Sequence, residues 1–229
     1  MAYSRTTQAV FLQDSFTKPP MLSPGEISPE TLAAWEYGAR GWIAYKKVKV
    51  KDQVRLVTFG FRDPLIRDWL HLNALTHNAL SFSDFMTEFR ANWLEHGWES
   101  KLFNALLNSR QGLGSFWDWQ LNLQYKNALL ATTPSYLDEN ALRRKLESGV
   151  NAELASHLGR EDFSTLSFTE WIASVRLLDQ ARMDHAARVS REVAKLRRRA
   201  EPRTNSARGA RTSYTPGSTP RPAVQGQMG

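Results

Sequence analysis

Apolar residues recur at intervals of three and four along most of this chain, which is the period of an amphipathic α-helix and not the alternation of a β-strand. The first clear stripe follows Ser28, Pro29 and Glu30, residue types preferred at an N-cap and in the first helical turn. Its apolar members are Leu32, Trp35, Ala39, Trp42 and Ile43. We therefore predict that ordered helical structure begins at residue 28.

The same period continues in a series of further stripes. They predict helices with buried faces at Val50, Val54, Val57 and Phe61; at Leu65, Trp69 and Leu72; at Phe85, Met86, Phe89 and Trp93; at Trp98, Leu102 and Leu106; at Phe116, Trp119, Leu123 and Leu130; at Leu142 and Leu146; and at Trp171, Val175 and Leu178. The valines of the first of these stripes also suit a strand, but their spacing favours a helix. Helices of this length joined by short turns predict an all-α fold with two small helical lobes.

The two ends of the chain depart from this pattern. Pro19, Pro20 and Gly25 interrupt the first segment, so we interpret residues 1–27 as a flexible arm. Beyond Ala200 the sequence is rich in Pro, Gly, Ser, Thr and Arg and does not supply enough apolar surface to form a core. We accordingly predict disordered termini on either side of the helical lobes.

These patterns divide the chain into four predicted parts. In order, they are a flexible N-terminal arm at residues 1–27, a first helical lobe at 28–96, a second helical lobe at 97–185 and a basic, largely disordered tail at 186–229. The last helical stripe can continue into the tail through Val189, Val193 and Leu196, so the basic segment can begin as a helical extension.

Positive charge is concentrated in the predicted tail. From Ala186 onward ten basic residues face two acidic ones, whereas residues 1–185 hold 20 basic against 21 acidic residues. A nearly neutral body with a basic arm is typical of a protein that contacts polyanions through a flexible segment. Nearly all of these cations are arginines, which suit bidentate contacts with phosphate. The candidate RNA-binding residues are Arg188, Arg191, Lys195, Arg197, Arg198, Arg199, Arg203, Arg208 and Arg211.

Several classes of function lack the residues they need. The chain has no cysteine, and none of its five histidines stands three or four residues from another, so we expect no metal site. We find neither a phosphate-binding Gly-Lys-Ser/Thr loop nor a Gly-x-Ser-x-Gly nucleophile motif, and we predict no catalytic residue, cofactor or small-molecule substrate. No apolar run is long enough to span a membrane, and the tail has no lipidation signal, so we expect no membrane partner.

Aromatic landmarks in the middle of the chain resemble those of retrotransposon Gag proteins. Residues 81–93 read SFSDFMTEFRANW and are similar to the family's W-x-x-F-x-x-x-F element, with Phe82 in place of the tryptophan. Residues 63–70, DPLIRDWL, look like its G-x-A-x-x-W helix. Ser115, Phe116, Asp118 and Trp119 resemble its Ser-Val-x-Glu-Tyr motif, and residues 142–158 resemble its leucine-rich segment. The resemblance covers about residues 28–185.

The resemblance implies a gypsy-class LTR retrotransposon Gag protein that assembles into virus-like capsid particles in the cytoplasm and packages RNA. In this family the first lobe forms rings and the second links them through a two-fold contact. Its aromatic positions are core landmarks, which match Trp69, Phe85, Phe89, Trp93 and Trp119 here.

The chain also departs from the family. The zinc knuckle is missing. The family often carries Gln and Glu in the turn before the serine motif, where this chain has Arg110 or Gln111 and then Gly114, so we expect the hydrogen-bond network of those side chains to be absent.

Two tryptophans lie off or at the edge of the apolar stripes. Trp98 and Trp117 are therefore the candidates for contacts between lobes or between subunits, where a tryptophan is a strong anchor.

Two other functions fit the same sequence. One is a domesticated capsid-like module that dimerises and serves as an adaptor, and the other is an RNA-binding protein whose helical body is only a scaffold. An enzyme is a more distant alternative.

Overall fold

A computed structural model describes residues 7–160 and 162–200 and confirms that the fold is all-α. The helices of the described part are α1 Pro29–Lys46, α2 Val50–Val57, α3 Pro64–Leu72, α4 Ala74–Ala79, α5 Phe82–Trp93, α6 Trp98–Asn108, α7 Phe116–Leu129, α8 Glu139–Gly149, α9 Ala152–Leu158 and α10 Phe168–Ala200. A short 3-10 helix, Thr58–Gly60, follows α2. Two short strands, β1 Phe11–Leu12 and β2 Met21–Leu22, pair in antiparallel fashion before α1.

Side-chain caps fix where several helices begin. The Ser28 hydroxyl accepts a hydrogen bond of 3.1 Å from the Thr31 amide at the start of α1. Ser81 and Ser115 cap α5 and α7 in the same way. Each cap satisfies a backbone donor that the first turn leaves without a helical partner. These starts lie at the residues that the sequence predicts.

The first hydrophobic cluster of the core contains buried residues from Ala9 to Leu94. Its centre is aromatic: the ring centroids of Trp35 and Phe61 lie 4.4 Å apart, and those of Phe61 and Phe89 lie 4.7 Å apart. Phe85 and Phe89 are fully buried, as predicted. Trp69 and Trp93 are partly buried and pack against the edge of the same cluster.

The second hydrophobic cluster contains buried residues from Leu102 to Val175. The α7 residues Phe116 and Leu123 are buried against Trp171 and Val175 of α10. Trp119 also belongs to this cluster, in agreement with its prediction as a core landmark. The predicted boundary between residues 96 and 97 falls between the two clusters. Both clusters nevertheless belong to one compact unit that extends through Asp184, and a second unit begins at His185.

The prediction of a flexible arm over residues 1–27 is wrong for residues 7–27. Ala9, Leu22 and Ile27 are buried in the first cluster, and the Ala9 amide donates a hydrogen bond of 2.8 Å to the Glu26 carbonyl. The prolines and Gly25 exclude a helix here, but they do not prevent short stretches of extended backbone from pairing. Residues 1–6 lie outside the described part of the chain.

The buried face of α3 also differs from the prediction. Leu65 and Leu72 are exposed, whereas Ile66 is buried and Trp69 is half-buried. The apolar residues of this short helix do not define a single face, so their spacing alone does not show which side packs inward.

Residues 186–200 are helical and belong to the second unit, in agreement with the helical extension predicted through Val189, Val193 and Leu196. Every described side chain from His185 to Arg199 is exposed. The predicted RNA-binding residues Arg203, Arg208 and Arg211 lie outside the described residues.

Candidate functional site

An apolar groove with a volume of about 800 Å³ lies between α7 and the first part of α10. The two helices are held side by side because Phe116 and Leu123 pack against Trp171 and Val175 beneath the groove. The residues that line it are Trp117, Gln120, Leu121, Gln124, Phe168, Thr169, Ile172, Ala173, Arg176, Leu177 and Gln180. A concave apolar surface of this size is typical of a protein or ligand contact.

Trp117 lies in the wall of this groove. It is half-buried, and the Arg176 guanidinium carbon lies 4.1 Å from the centroid of its ring, which is a cation–π contact. Leu121 and Leu177, which the sequence analysis did not single out, are 42% and 73% exposed. Large apolar side chains on solvent-facing helix positions were the signal that could have identified them. Trp117 and Arg176 therefore form one wall of the groove.

The floor of the groove contains a buried polar group. Gln120 is 1% exposed, and its side-chain oxygen Oε1 has no hydrogen-bond partner among the described residues. A buried acceptor without a partner is costly, which makes this oxygen a natural acceptor for a donor on whatever fills the groove.

A buried hydrogen-bond network fixes the turn before α7. The Asp179 carboxylate accepts hydrogen bonds from the Gln111 amide at 2.9 Å, from the Phe116 backbone N–H at 2.8 Å and from the Arg182 guanidinium at 2.9 Å. The Gln111 Oε1 accepts a bond of 2.9 Å from the Asn151 backbone N–H. The expectation that this turn lacks a side-chain network is therefore wrong. The acidic partner comes from α10, 68 residues further along the chain.

Lys145 is a buried amine that lies beside Trp119 of the second cluster. Its ammonium donates a hydrogen bond of 2.7 Å to the Ser109 carbonyl and lies 5.9 Å from the Trp119 ring centroid. Burial lowers the pKa of Lys145, and the nearby positive charge of Arg110 lowers it further. No carboxylate or nucleophile accompanies it in these contacts, so the lysine has a structural role in holding α8 against the end of α6.

Trp98 packs against both hydrophobic clusters and is half-buried. It lines a cleft of about 330 Å³ together with residues of α1 and α7. Tyr125 lies in the same cleft, where burial and then the Glu30 carboxylate raise its pKa. Trp98 therefore lies where the two hydrophobic clusters meet. Trp98 and Trp117 line different cavities and do not form one site.

The described part of the second unit carries a dense set of cations. Of the predicted RNA-binding residues, six lie on this helix and are exposed: Arg188, Arg191, Lys195, Arg197, Arg198 and Arg199. Glu192 is the one acidic residue among residues 185–200, and it pairs with Lys195 at 2.7 Å. An exposed helix with this charge suits phosphate contacts without a fixed register.

Two further kinds of feature are absent from the described residues. Within residues 7–160 and 162–200 no group of three or more His, Cys, Asp or Glu side chains is placed to hold a metal ion. Among the described helices, none combines the length and apolar character that a transmembrane segment requires.

Comparison of the chain with protein-family models, with curated proteins and with solved structures gives no match. The groove, the polar network and the basic helix are therefore interpreted from their own geometry and chemistry.

Proposed function

We propose that this chain is a capsid-type structural protein that associates with copies of itself and gathers RNA with its basic C-terminal segment. The observation that carries the proposal is the apolar groove between α7 and α10, with Trp117 in its wall and Leu121 and Leu177 exposed around it. Exposure of such an apolar surface to water is energetically unfavourable, and self-association would bury it.

A second copy of the chain is the occupant that suits this groove. A two-fold contact uses the same patch on both subunits, so the patch must contain both recesses and projecting side chains. The groove supplies the recess, and the exposed leucines supply the projections.

RNA is the partner that the charge distribution supports. The six cations of the described basic helix, together with Arg203, Arg208 and Arg211, can bind a phosphate backbone by releasing its counterions. Weak contacts between subunits then suffice, because many copies held on one RNA raise their local concentration. The resemblance of residues 28–185 to retrotransposon Gag proteins supports the same function, with virus-like particles in the cytoplasm as the expected product.

The groove is tested by Leu177→Asp in the full chain, with Leu113→Asp as the matched control. Both leucines are exposed, but Leu113 lies in the turn before α7 and does not line the groove. We expect Leu177→Asp to raise the dissociation constant of self-association about 30-fold, since loss of a hot spot costs about 2 kcal/mol. The control should change it little. Sedimentation and electron microscopy, each with and without RNA, provide the measurements.

Each outcome decides between functions. A wild-type chain that stays monomeric at high concentration with RNA present excludes a capsid-type protein. A dimer of constant size under all salt and RNA conditions identifies a dimerising adaptor instead. Equal effects of the two substitutions would show that the subunit contact lies elsewhere, and a chain that binds RNA without any self-association would make the helical body a scaffold.

A further inference from the structure

The part of α10 that belongs to the second unit has a seam of exposed apolar side chains. Ala186, Val189, Val193 and Leu196 are spaced by three, four and three residues, which is the spacing of the a and d positions of a heptad. All four are exposed; Val189 is 48%, Val193 43% and Leu196 61% accessible. A helix rarely keeps such a seam in water unless it pairs with another helix.

The residues on this seam favour two parallel helices. Ala186 and Val193 occupy a positions, and Val189 and Leu196 occupy d positions. A β-branched residue at a with leucine at d favours a two-stranded parallel coiled coil, and the second heptad, with Val193 and Leu196, has this combination, whereas the first has Ala186 and Val189. The second heptad thus favours two parallel helices.

The charges beside the seam agree with that direction. Glu192 occupies a g position and Arg197 the following e position. In a parallel pair in register, Glu192 of one helix lies next to Arg197 of the other, and the symmetry gives two such ion pairs. In an antiparallel pair g positions meet g positions and e positions meet e positions, so like charges would face each other. Within one chain Glu192 pairs with Lys195, but both side chains are about two-thirds exposed. This ion pair is therefore weak, and Glu192 can exchange Lys195 for Arg197 of the second helix.

Four of the five remaining described cations lie on the outside of such a pair, and Arg199 occupies a g position beside the seam. Arg188, Arg191, Lys195 and Arg198 occupy c and f positions, which point away from the seam. Two helices with these charges repel each other in the absence of a counterion. A polyanion bound along the outer faces removes that repulsion.

We propose that residues 186–199 of two copies pair as a parallel, in-register coiled coil, and that RNA bound to the outer basic faces promotes the pairing. The seam is only about two heptads long, so pairing without a polyanion is weak. The inference deepens the proposed self-assembly by adding a second contact between copies, and its dependence on RNA rests on that proposed function.

The absence of cysteine allows a direct test by disulfide formation in the full chain. We expect Val193→Cys to form a cross-linked dimer under mild oxidation, because a positions of a parallel pair face each other closely enough for a disulfide. Ala194→Cys is the matched control, since it is equally exposed and lies one residue further on, outside the seam. An oligouridylate should increase cross-linking of Val193→Cys and should leave the control at least about fivefold lower, a difference of about 1 kcal/mol. Equal cross-linking at both positions, or none at Val193→Cys with oligouridylate present, overturns the proposal.

The register is tested by exchanging the two charges in the Val193→Cys background. Glu192→Arg and Arg197→Glu should each reduce cross-linking about threefold to tenfold, since two ion pairs are lost at once. The double variant Glu192→Arg with Arg197→Glu should restore it. A double variant that cross-links no better than the two single variants rules out the parallel, in-register arrangement.

This contact can fail independently of the groove. Leu177→Asp combined with Val193→Cys should still cross-link, although its assemblies are smaller. If Val193→Cys does not cross-link but the chain still self-associates through the groove, only the coiled-coil proposal is excluded. If Val193→Cys cross-links but the chain with an unchanged groove does not self-associate through it, the capsid proposal is excluded and the coiled-coil proposal stands.

Discussion

At the scale of single residues, Asp179 joins α10 to the turn before α7 and to the start of α7. It is 3% exposed, and its carboxylate holds the turn at Gln111, the first amide of α7 and the Arg182 guanidinium together. A buried carboxylate is stable only when its oxygens are hydrogen-bonded, and here each of the two has partners. Asp179 therefore determines how α7 and α10 meet beneath the groove.

Replacement of Asp179 by alanine should destabilise the fold by about 3 kcal/mol, because Gln111, the Phe116 N–H and Arg182 all lose an acceptor in a buried place. Urea unfolding measures the change. Asp184→Ala is the control, since that carboxylate is exposed and accepts a single side-chain hydrogen bond, of 3.1 Å, from Gln180. The control should stay within about 0.5 kcal/mol of wild type. Similar losses of unfolding free energy in the two variants would show that the Asp179 network does not contribute to stability.

Neither the partners of Asp179 nor the exposure of Leu177 could be predicted from the sequence. Gln111 and Asp179 are separated by 68 residues, and no local pattern shows which distant acid a glutamine will meet. Trp117 and Trp98 were identified as candidates because they depart from the apolar stripes, a local signal. Residues that depart from a stripe can be recognised in a sequence, whereas the partners they meet depend on tertiary packing.

At the scale of elements, α10 begins with a reciprocal cap. The Glu170 carboxylate accepts hydrogen bonds from the Ser167 backbone N–H at 2.9 Å and from its hydroxyl at 2.6 Å, while the Glu170 N–H donates to the Ser167 hydroxyl at 3.4 Å. The sequence predicts this cap from the serine and glutamate spacing alone. The hydrogen bonds from Ser167 lower the pKa of Glu170.

The lowered pKa gives the cap a definite pH dependence. Its contribution to stability is present above the unfolded-state pKa of about 4.3 and is lost as the pH falls through the lower folded-state value. We expect Glu170→Ala to be less stable than wild type at pH 7, with the difference decreasing as the pH falls below the unfolded-state pKa of Glu170. Thermal unfolding at a series of pH values measures it. Glu153→Ala, in the first turn of α9 but without this cap, should show a smaller pH dependence; an equal one would contradict the prediction.

Helices were predicted better than other elements because their stripes and caps are local. The starts of α1, α5 and α7 follow from Ser28, Ser81 and Ser115. The strand pair was missed because each strand has two residues, too few to show an alternating pattern. Its stability comes from pairing and burial against distant residues, which are tertiary effects.

At the scale of the whole molecule, charge is divided between two regions with different expected roles. The basic helix carries Arg188, Arg191, Lys195 and Arg198 on one side. A second exposed basic run, at residues 46–51, contains Lys46, Lys47, Lys49 and Lys51 on the other unit. Each of these two regions carries four of the named cations, so their number alone does not show which region binds RNA.

Replacing the four cations Arg188, Arg191, Lys195 and Arg198 with glutamine should weaken binding to RNA of any sequence. The slope of log affinity against log salt should become shallower by about 3, because roughly 0.7 counterions are released per phosphate contact on a single strand. Changing Lys46, Lys47, Lys49 and Lys51 to glutamine removes the same charge and should alter the slope much less. Fluorescence anisotropy with labelled RNA over a range of salt makes the comparison. The reverse result would place the RNA contacts on the first unit.

The strand pair at the beginning of the chain has a consequence for the order of folding. Leu22 forms a backbone bridge with Phe61, and Ile27 forms one with Leu94, so the start of the first cluster is closed by residues from its end. Long-range pairing of this kind raises the contact order of an otherwise helical region and slows the last step of its folding. During synthesis Leu22 and Ile27 therefore stay exposed until the chain has been made through α5.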